Sequence, residues 1–345
     1  MSNFSHENSR RTIAIWLFSV CALIGLMVVI GGLTRLTGSG LSITEWKPIH
    51  GALPPLSLSE WNEEFQAYQQ IPQYQKLNVG MTLDEFKAIF WWEWGHRNLG
   101  RIIGFAFLFP FVYFLATKRV ERSLIPRLSL LFILGGLQGA LGWFMVTSGL
   151  THRVDVSQYR LVAHLGLALV IYAAIFWTAL PLWRGEWPAP RNPHPLYRLS
   201  LLALVLIFAQ ILLGGFVAGL DAGLTYNTWP LMDGEFVPQG AYASVPVWLA
   251  PFEDVTTVQF NHRMMAYIVS AAVLALFVYG LRQRLTGHAR LTLFLLVATV
   301  GLQMVLGIAT LLAEVPVWLG ASHQFGAVLL LTASLLHAYA LRRNV

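Results

Sequence analysis

Eight long apolar stretches dominate the chain. They run roughly over residues 13–33, 94–116, 127–147, 160–181, 198–220, 260–281, 291–313 and 318–341. A helix needs about 20 mostly apolar residues to cross the hydrocarbon core of a bilayer, and every stretch meets this length. The stretches are hydrophobic on all faces, which is typical of helices surrounded by lipid. The pattern predicts an all-α polytopic membrane protein with eight transmembrane helices.

The composition supports this interpretation. Hydrophobic residues make up 56% of the chain and charged residues 12%, about half of the roughly 25% that soluble domains carry. The single Cys21 excludes an intrachain disulfide, a CxxC redox pair and a cysteine-based metal cluster. The first span continues into Gly31, Gly32 and Arg35 without a small-x-small cleavage site, so we do not expect a cleaved signal peptide.

The distribution of charge predicts the orientation. With the N-terminus inside, the inner segments hold 14 of the 23 basic residues but three of the 17 acidic ones. The positive-inside rule then places both termini and loops 117–126, 182–197 and 282–290 in the cytoplasm. The net charge of +6 therefore reflects topology, and no nucleic-acid partner is expected. The short N-terminus does not resemble a transit peptide, which favours a bacterial plasma membrane.

The chain contains an internal repeat. A shift of 183 residues aligns a first set of positions with a second, namely Gly31, Gly32, Gly40, Leu41, Trp46, Gly51 and Pro55 with Gly214, Gly215, Gly223, Leu224, Trp229, Gly234 and Pro238. A shift of 165 aligns Gly136-Leu137-Gln138 and Leu141-Gly142 with Gly301-Leu302-Gln303 and Leu306-Gly307. Each half has four spans, so both enter the membrane in the same orientation. This predicts two tandem four-helix bundles related by a pseudo-twofold axis along the membrane normal.

The repeat also predicts the domain boundary. The N-terminal bundle should cover residues 1–182 and the C-terminal bundle residues 183–345. A proline-rich cytoplasmic linker near 183–197 joins them and contains Trp187, Pro188, Pro190, Pro193 and Pro195.

Four histidines occupy matching depths, near the outer ends of the even-numbered spans. They are His96 and His164 in the first half and His262 and His323 in the second. Ionisable residues inside a span are costly and usually functional. Because each half supplies two imidazoles from different helices, the arrangement favours bis-histidine ligation of a haem iron. A catalytic zinc normally has three protein ligands, and no third His or Cys lies at that depth.

The arginines and glycines near the four histidines each have two interpretations. Arg97 and Arg263 adjoin two of the histidines and pair with haem propionates or anchor the helix ends in the headgroup region. Several glycines allow close approach of a macrocycle, or equally of helices, namely Gly100, Gly104, Gly135, Gly139, Gly215 and Gly219.

The two halves differ beside the first histidine of each pair. Glu93 precedes His96 by three residues, so both lie on one helix face, whereas the shift of 166 places Gln259 before His262. A carboxyl group can move protons or stabilise a cation, whereas an amide only forms hydrogen bonds. We therefore interpret Glu93 as a candidate catalytic residue, with an interfacial position beside Trp91, Trp92 and Trp94 as the alternative.

Together these motifs resemble haem A synthase. They are Glu93-Trp94-Gly95-His96-Arg97-Asn98, the run from Gly31 to Thr37 that continues to Trp46, Asn261-His262-Arg263 and Ser322-His323-Gln324. The similarity spans essentially the whole chain. It implies an oxidoreductase that converts the C8 methyl group of haem O to a formyl group by successive hydroxylations. It also implies that His262 and His323 ligate a resident haem b cofactor, that His96 and His164 hold the substrate haem, and that Glu93 is essential.

The chain has no cysteine pairs in its outer loops, and in this it resembles the cysteine-free branch of the family, found in proteobacteria and mitochondria. The expected partners are haem O and a membrane electron donor; contacts with haem O synthase or terminal-oxidase assembly, and a homo-oligomeric state, stay open. A dihaem b-type electron-transfer subunit linked to quinol is the main alternative, because it also needs duplicated bis-histidine bundles. A transporter ranks last, since its site should lie near mid-membrane.

Overall fold

The computed structural model describes residues 2–47, 50–186 and 193–342, with side chains from residue 8 and without that of residue 50. Over these residues the secondary structure is helical apart from one isolated β-bridge. The linker residues Trp187, Pro188 and Pro190, and the basic residues Arg191 and Arg343, lie outside the described part. The α-helices are α1 Ser2–Leu36, α2 Leu58–Gln69, α3 Pro72–Leu77, α4 Leu83–Ala116, α5 Ile125–Thr147, α6 Gln158–Trp183, α7 Tyr197–Gly219, α8 Ala250–Glu253, α9 Val255–Arg282, α10 Gly287–Leu312 and α11 Val317–Ala340.

Eight of these helices are long and apolar enough to cross a membrane: α1, α4, α5, α6, α7, α9, α10 and α11. Large apolar side chains remain exposed on them, including Phe109 at 64% and Val305 at 64%. An exposed apolar surface of this kind requires lipid as its solvent. The predicted all-α, eight-span, multi-pass membrane architecture is confirmed.

The second membrane helix begins earlier than predicted, at Leu83 rather than near residue 94. A capping box causes the early start: the Thr82 side chain accepts from the backbone of Glu85, and Glu85 accepts from the backbone of Thr82. The prediction that His96 lies within the first turns of its helix is therefore wrong, because three polar and aromatic turns precede it. His164, His262 and His323 do lie near the starts of α6, α9 and α11.

The chain divides into two compact units, Ser19–Tyr172 and Met1–Phe18 together with Ala173–Val345. The divisions fall inside α1 and α6 rather than in the linker. In the unit Ser19–Tyr172, a second capping box at Ser57 and Glu60 starts α2. Aromatic packing of α2 and α3 against the first turns of α4 then buries Tyr68, Phe86 and Phe90. The hydropathy pattern does not predict this packed segment of α2 and α3. Its aromatic cluster also includes Leu41 and Ile43, so it helps to hold the segment after α1 against α4.

The other unit has a core shared by α7, α9, α10 and α11, centred on Ile207, Leu276 and Leu293. Asp254 caps α9 by accepting from the backbone of Thr257 (2.8 Å) and from the hydroxyls of Ser244 and Thr257. Burial acts to raise the pKa of Asp254, but these hydrogen bonds outweigh it, so the pKa lies below its ordinary value. The cap sets the start of the helix that carries His262.

Candidate functional site

The histidines come together in two pairs. His96 on α4 lies close enough to His164 on α6 for an electrostatic interaction, within Ser19–Tyr172. His262 on α9 has the same relation to His323 on α11, within the other unit. Each pair joins two helices, which is the arrangement that bis-imidazole ligation of a haem requires.

Every histidine ring packs on a glycine of the preceding membrane helix. A Cβ atom added to Gly142, Gly214 or Gly307 would lie 2.9, 3.1 or 3.0 Å from Cε1 of His164, His262 or His323. At the fourth site, a Cβ on Gly31 would lie 3.0 Å from Nε2 of His96. These distances are shorter than most or all real Cβ contacts, so a side chain at any of these glycines would require the ring to shift by at least a few tenths of an ångström. The four glycines therefore create the space in which the imidazoles lie.

A glutamine accompanies three of these glycines, one helical turn earlier. Nε2 of Gln138 donates to the carbonyl oxygen of His164 (3.0 Å). The amides of Gln210 and Gln303 donate in the same way to His262 (3.1 Å) and His323 (2.9 Å). Nε2 of Gln138 and of Gln210 also lies 3.1 and 3.2 Å from Nδ1 of the respective ring. These bonds fix the height of each histidine relative to the neighbouring helix.

From the sequence, neither the three glutamines nor the four histidine-facing glycines are predicted as site residues. The signal was present, because Gln138 with Gly142 and Gln303 with Gly307 form part of the repeat. Of the glycines predicted to allow close approach, Gly104, Gly135 and Gly139 face open space, since a Cβ there would meet nothing within 4 Å, and Gly100 packs against Met27.

Glu93 is buried at 2% exposure and uses both carboxylate oxygens. Oε2 accepts from Oγ of Ser42 and from the backbone N–H of Ile43, both at 2.8 Å. Oε1 accepts from Nε (3.1 Å) and Nη2 (2.7 Å) of Arg97. Four donors match the roughly four lone-pair positions of a carboxylate. Glu93 and Arg97 thus form a saturated, buried ion pair one turn from His96.

Arg97 also holds the segment that follows α1. Nη2 donates to the carbonyl oxygen of Ile43 (2.7 Å) and Nη1 to that of Glu45 (3.2 Å). Arg263 makes the matching contacts with Tyr226 (2.7 Å) and Thr228 (2.8 Å). Residues 226 and 228 are residues 43 and 45 shifted by 183, so the contacts recur at repeat-related positions. This recurrence is consistent with an internal duplication.

The two halves differ in the residue that precedes the arginine by one turn. Gln259 donates through Nε2 to the carbonyl oxygen of Tyr226 (3.0 Å). Its Oε1 and Nε of Arg263 are both buried, and neither has a hydrogen-bond partner within the described residues. The corresponding atoms of Glu93 and Arg97 bond to each other. One half therefore contains a buried carboxylate beside its histidine pair, and the other contains an amide in the matching position.

Glu93 also affects Tyr68 of α2, which packs against the first turns of α4. Tyr68 is fully buried and donates through its hydroxyl to Oε1 of Gln73 (3.0 Å). Burial raises the pKa of Tyr68, and the negative charge of Glu93 contributes to the increase. The phenol therefore stays protonated as a hydrogen-bond donor at neutral pH.

Known proteins resemble this chain over most of its length. Residues 14–335 match the model of the cytochrome oxidase assembly protein family. A protein named heme A synthase from Parvibaculum lavamentivorans is 54% identical over 337 residues, covering 98% of this chain and 96% of that protein. The chain belongs to the haem A synthase family. Within this family, a heme A synthase from Nitrosospira multiformis is 51% identical (97% and 95% covered), and one from Rhizobium meliloti is 50% identical (96% and 90% covered).

Membership of the family agrees with the resemblance drawn from the His, Glu and Arg motifs. It also agrees with the eight spans, since the matched residues reach from the first membrane helix to the last.

Proposed function

We propose that this chain oxidises the C8 methyl group of haem O to a formyl group, by successive hydroxylations, and so makes haem A. The observation that carries the proposal is the asymmetry between two otherwise matching histidine pairs. The pair His96/His164 has the buried carboxylate of Glu93 one turn away, and the pair His262/His323 has the amide of Gln259. A pure electron relay does not require an acidic residue in one pocket alone.

We propose His96 and His164 as the axial ligands of substrate haem, within an N-terminal half of residues 1–182. The two histidines lie on different helices within electrostatic range of each other, and each ring lies against a glycine. Held by its iron, a substrate haem would present its edge to the surrounding side chains in a fixed orientation, which is how binding energy accelerates a reaction at a remote carbon atom.

We propose His262 and His323, in a C-terminal half of residues 183–345, as the ligands of a resident haem b. The residues present fit this group: His262 on α9 and His323 on α11 lie within electrostatic range of each other, and Nδ1 of His323 is buried without a partner in the described structure. A haem b bound there would supply one-electron transfer. Gln210 and Gln303 then hold both ligands in register.

Glu93 is the proposed catalytic residue. Its carboxylate places a negative charge beside the substrate pair and can stabilise positive charge that develops at the oxidised carbon atom. A role in proton transfer requires one of its four hydrogen bonds to be exchanged first. Arg97 is a proposed substrate-binding residue, for haem propionates, and it also keeps Glu93 and the segment after α1 in place.

We further propose that the protein lies in the bacterial inner membrane with both termini in the cytoplasm. The excess of basic residues in loops 117–126 and 282–290 supports this orientation. The proposed partners are haem O and a membrane electron donor. Direct contact with haem O synthase or with an oxidase under assembly would allow haem O and haem A to pass between the proteins. A homo-oligomer is a further proposed state.

The pigment of the purified protein tests the reaction class. Haem extracted with acidified solvent and identified by mass spectrometry should include haem A or a hydroxylated haem O besides haem b. Two equivalents of haem b alone, from cells that make haem O, would instead support a dihaem electron-transfer subunit.

A further inference from the structure

His96 lacks the glutamine hydrogen bond that His164, His262 and His323 share. Four residues before Gly142, Gly214 and Gly307 stand Gln138, Gln210 and Gln303, whose amides donate to the histidine of the next membrane helix. Four residues before Gly31 stands Met27. A thioether is not a hydrogen-bond donor. Within the described residues, neither the ring nor the carbonyl oxygen of His96 receives a side-chain hydrogen bond.

The ring of His96 also lies differently on its glycine. At Gly142, Gly214 and Gly307 the nearest histidine atom is Cε1, whereas at Gly31 it is Nε2, with Cδ2 next at 3.5 Å. Met27 itself packs toward Gly100, one turn after His96, where a Cβ would lie 3.2 Å from its Cε. Met27 thus contacts the His96 helix only through van der Waals packing, which leaves its height and ring angle less restricted.

The site without the glutamine amide belongs to the histidine pair that is proposed to bind the substrate haem, and this haem must be released. A resident cofactor stays bound, and both of its proposed ligands are held by glutamine. A substrate haem must enter and a product must leave in every catalytic cycle, and one of its two proposed ligands is held by glutamine and the other is not. We propose that His96 is the exchangeable ligand of the substrate haem, and that Met27 is the positioning residue that keeps it so, while Gln138 keeps His164 fixed. This inference rests on the proposed function of the N-terminal pair.

Carbon monoxide tests ligand exchange directly, because it binds a reduced six-coordinate haem only after an axial ligand has left. The full chain is purified in detergent, loaded with haem O, reduced and mixed with carbon monoxide, and the Soret change is followed. Met27→Gln adds the amide found in the other three sites. Since one hydrogen bond contributes a net 0.5–1.5 kcal/mol, carbon monoxide should bind roughly 2- to 12-fold more slowly.

Two further variants make the comparison specific. Met27→Leu keeps an apolar side chain without a donor and should bind carbon monoxide at the unaltered rate. Gln138→Met removes the amide from the partner ligand, adds a second exchangeable histidine and should raise the rate. The low-spin spectrum of the C-terminal haem b should not change in any of these variants, which shows that the fold is intact.

The outcomes separate this inference from the function on which it rests. Equal rates for Met27→Gln and Met27→Leu, with haem O bound in both, would overturn the role of Met27 and leave the proposed function standing. Failure of the unaltered chain to bind haem O at His96 and His164 would overturn both.

Discussion

Oε1 of Glu93 accepts two hydrogen bonds from the guanidinium group of Arg97, at 3.1 and 2.7 Å, in the N-terminal half of α4. The same arginine holds the carbonyl oxygens of Ile43 and Glu45. The residue proposed to be catalytic is therefore also part of the structure that holds the segment after α1 against α4. One group of contacts, from Ser42, Ile43 and Arg97, therefore sets the position of the Glu93 carboxylate and balances its charge.

Arg97→Gln should loosen the segment after α1 more than Arg263→Gln loosens its counterpart. Arg97→Gln leaves the buried charge of Glu93 without its partner, which typically costs about 3–5 kcal/mol. Both variants also remove donors from two carbonyl oxygens, at about 1–3 kcal/mol each, so this cost is common to the two and the unpaired charge of Glu93 is the difference between them. Hydrogen exchange of segments 42–47 and 225–229 measures the difference.

A double variant provides the control for this comparison. Adding Glu93→Gln to Arg97→Gln removes the unpaired charge and should restore part of the lost protection. Equal exchange in both segments, or a double variant less protected than Arg97→Gln, would show that the ion pair does not hold the segment.

Glu93→Gln should keep the fold and the C-terminal haem b but lose most haem A production, with haem O or a hydroxylated intermediate accumulating. The amide cannot carry the charge or the proton, and such roles typically contribute about 10²–10⁴-fold in rate. The haems in membranes of the variant are separated and quantified. The matched control is Gln259→Glu, which alters the equivalent position of the other half and should not abolish the oxidation. Near-normal haem A in Glu93→Gln would remove Glu93 from the catalytic mechanism.

Gly307→Ala should lower the amount of bound haem b. The new Cβ atom would lie 3.0 Å from Cε1 of His323, and overpacking of this kind costs about 1–3 kcal/mol. Gly301→Ala, on the same helix, would meet nothing within 4 Å and should bind haem b normally. The low-spin absorbance of each purified variant measures occupancy, with His323→Ala, which should lose most of it, as the reference. Full occupancy in Gly307→Ala and His323→Ala would mean that His323 is not a ligand.

Single cysteines should reveal a cytoplasmic face at residues 117–126 and 282–290. In a Cys21→Ala background, Arg122→Cys and Gln283→Cys should resist an impermeant thiol reagent in intact cells, whereas Asp233→Cys should react. All three positions are exposed, so lack of access to the cytoplasm is the expected cause of any protection. Labelling of the first two with protection of the third would reverse the orientation.

The hydropathy pattern predicted the eight membrane helices, because a stretch of about 20 apolar residues in a bilayer is almost always a transmembrane helix. It did not predict α2 and α3, because these helices are short and are held by aromatic packing against the first turns of α4. Two local signals were nevertheless present in the sequence: Ser57 with Glu60 and Thr82 with Glu85 are capping boxes, and the second would have placed the start of α4.

The roles of the residues around the histidines were less accessible to sequence reasoning. The repeat identified Gln138 and Gln303, but their donation to histidine carbonyl oxygens depends on how neighbouring helices pack. The difference between Glu93 and Gln259 was visible in the sequence, whereas the saturation of Glu93 by Ser42, Ile43 and Arg97 depends on a loop whose path the sequence pattern does not determine.

The most direct test follows haem O itself. The chain is produced in cells that make haem O but lack their own enzyme for haem A, and the extracted haems are identified by chromatography and mass spectrometry over time. The account predicts that haem O decreases while a hydroxylated form and then haem A appear, the latter with one oxygen more and two hydrogens fewer than haem O. It also predicts that a matched host with the His96→Ala chain retains haem O. Persistence of haem O in the presence of stably inserted, haem-loaded protein would contradict the proposed reaction.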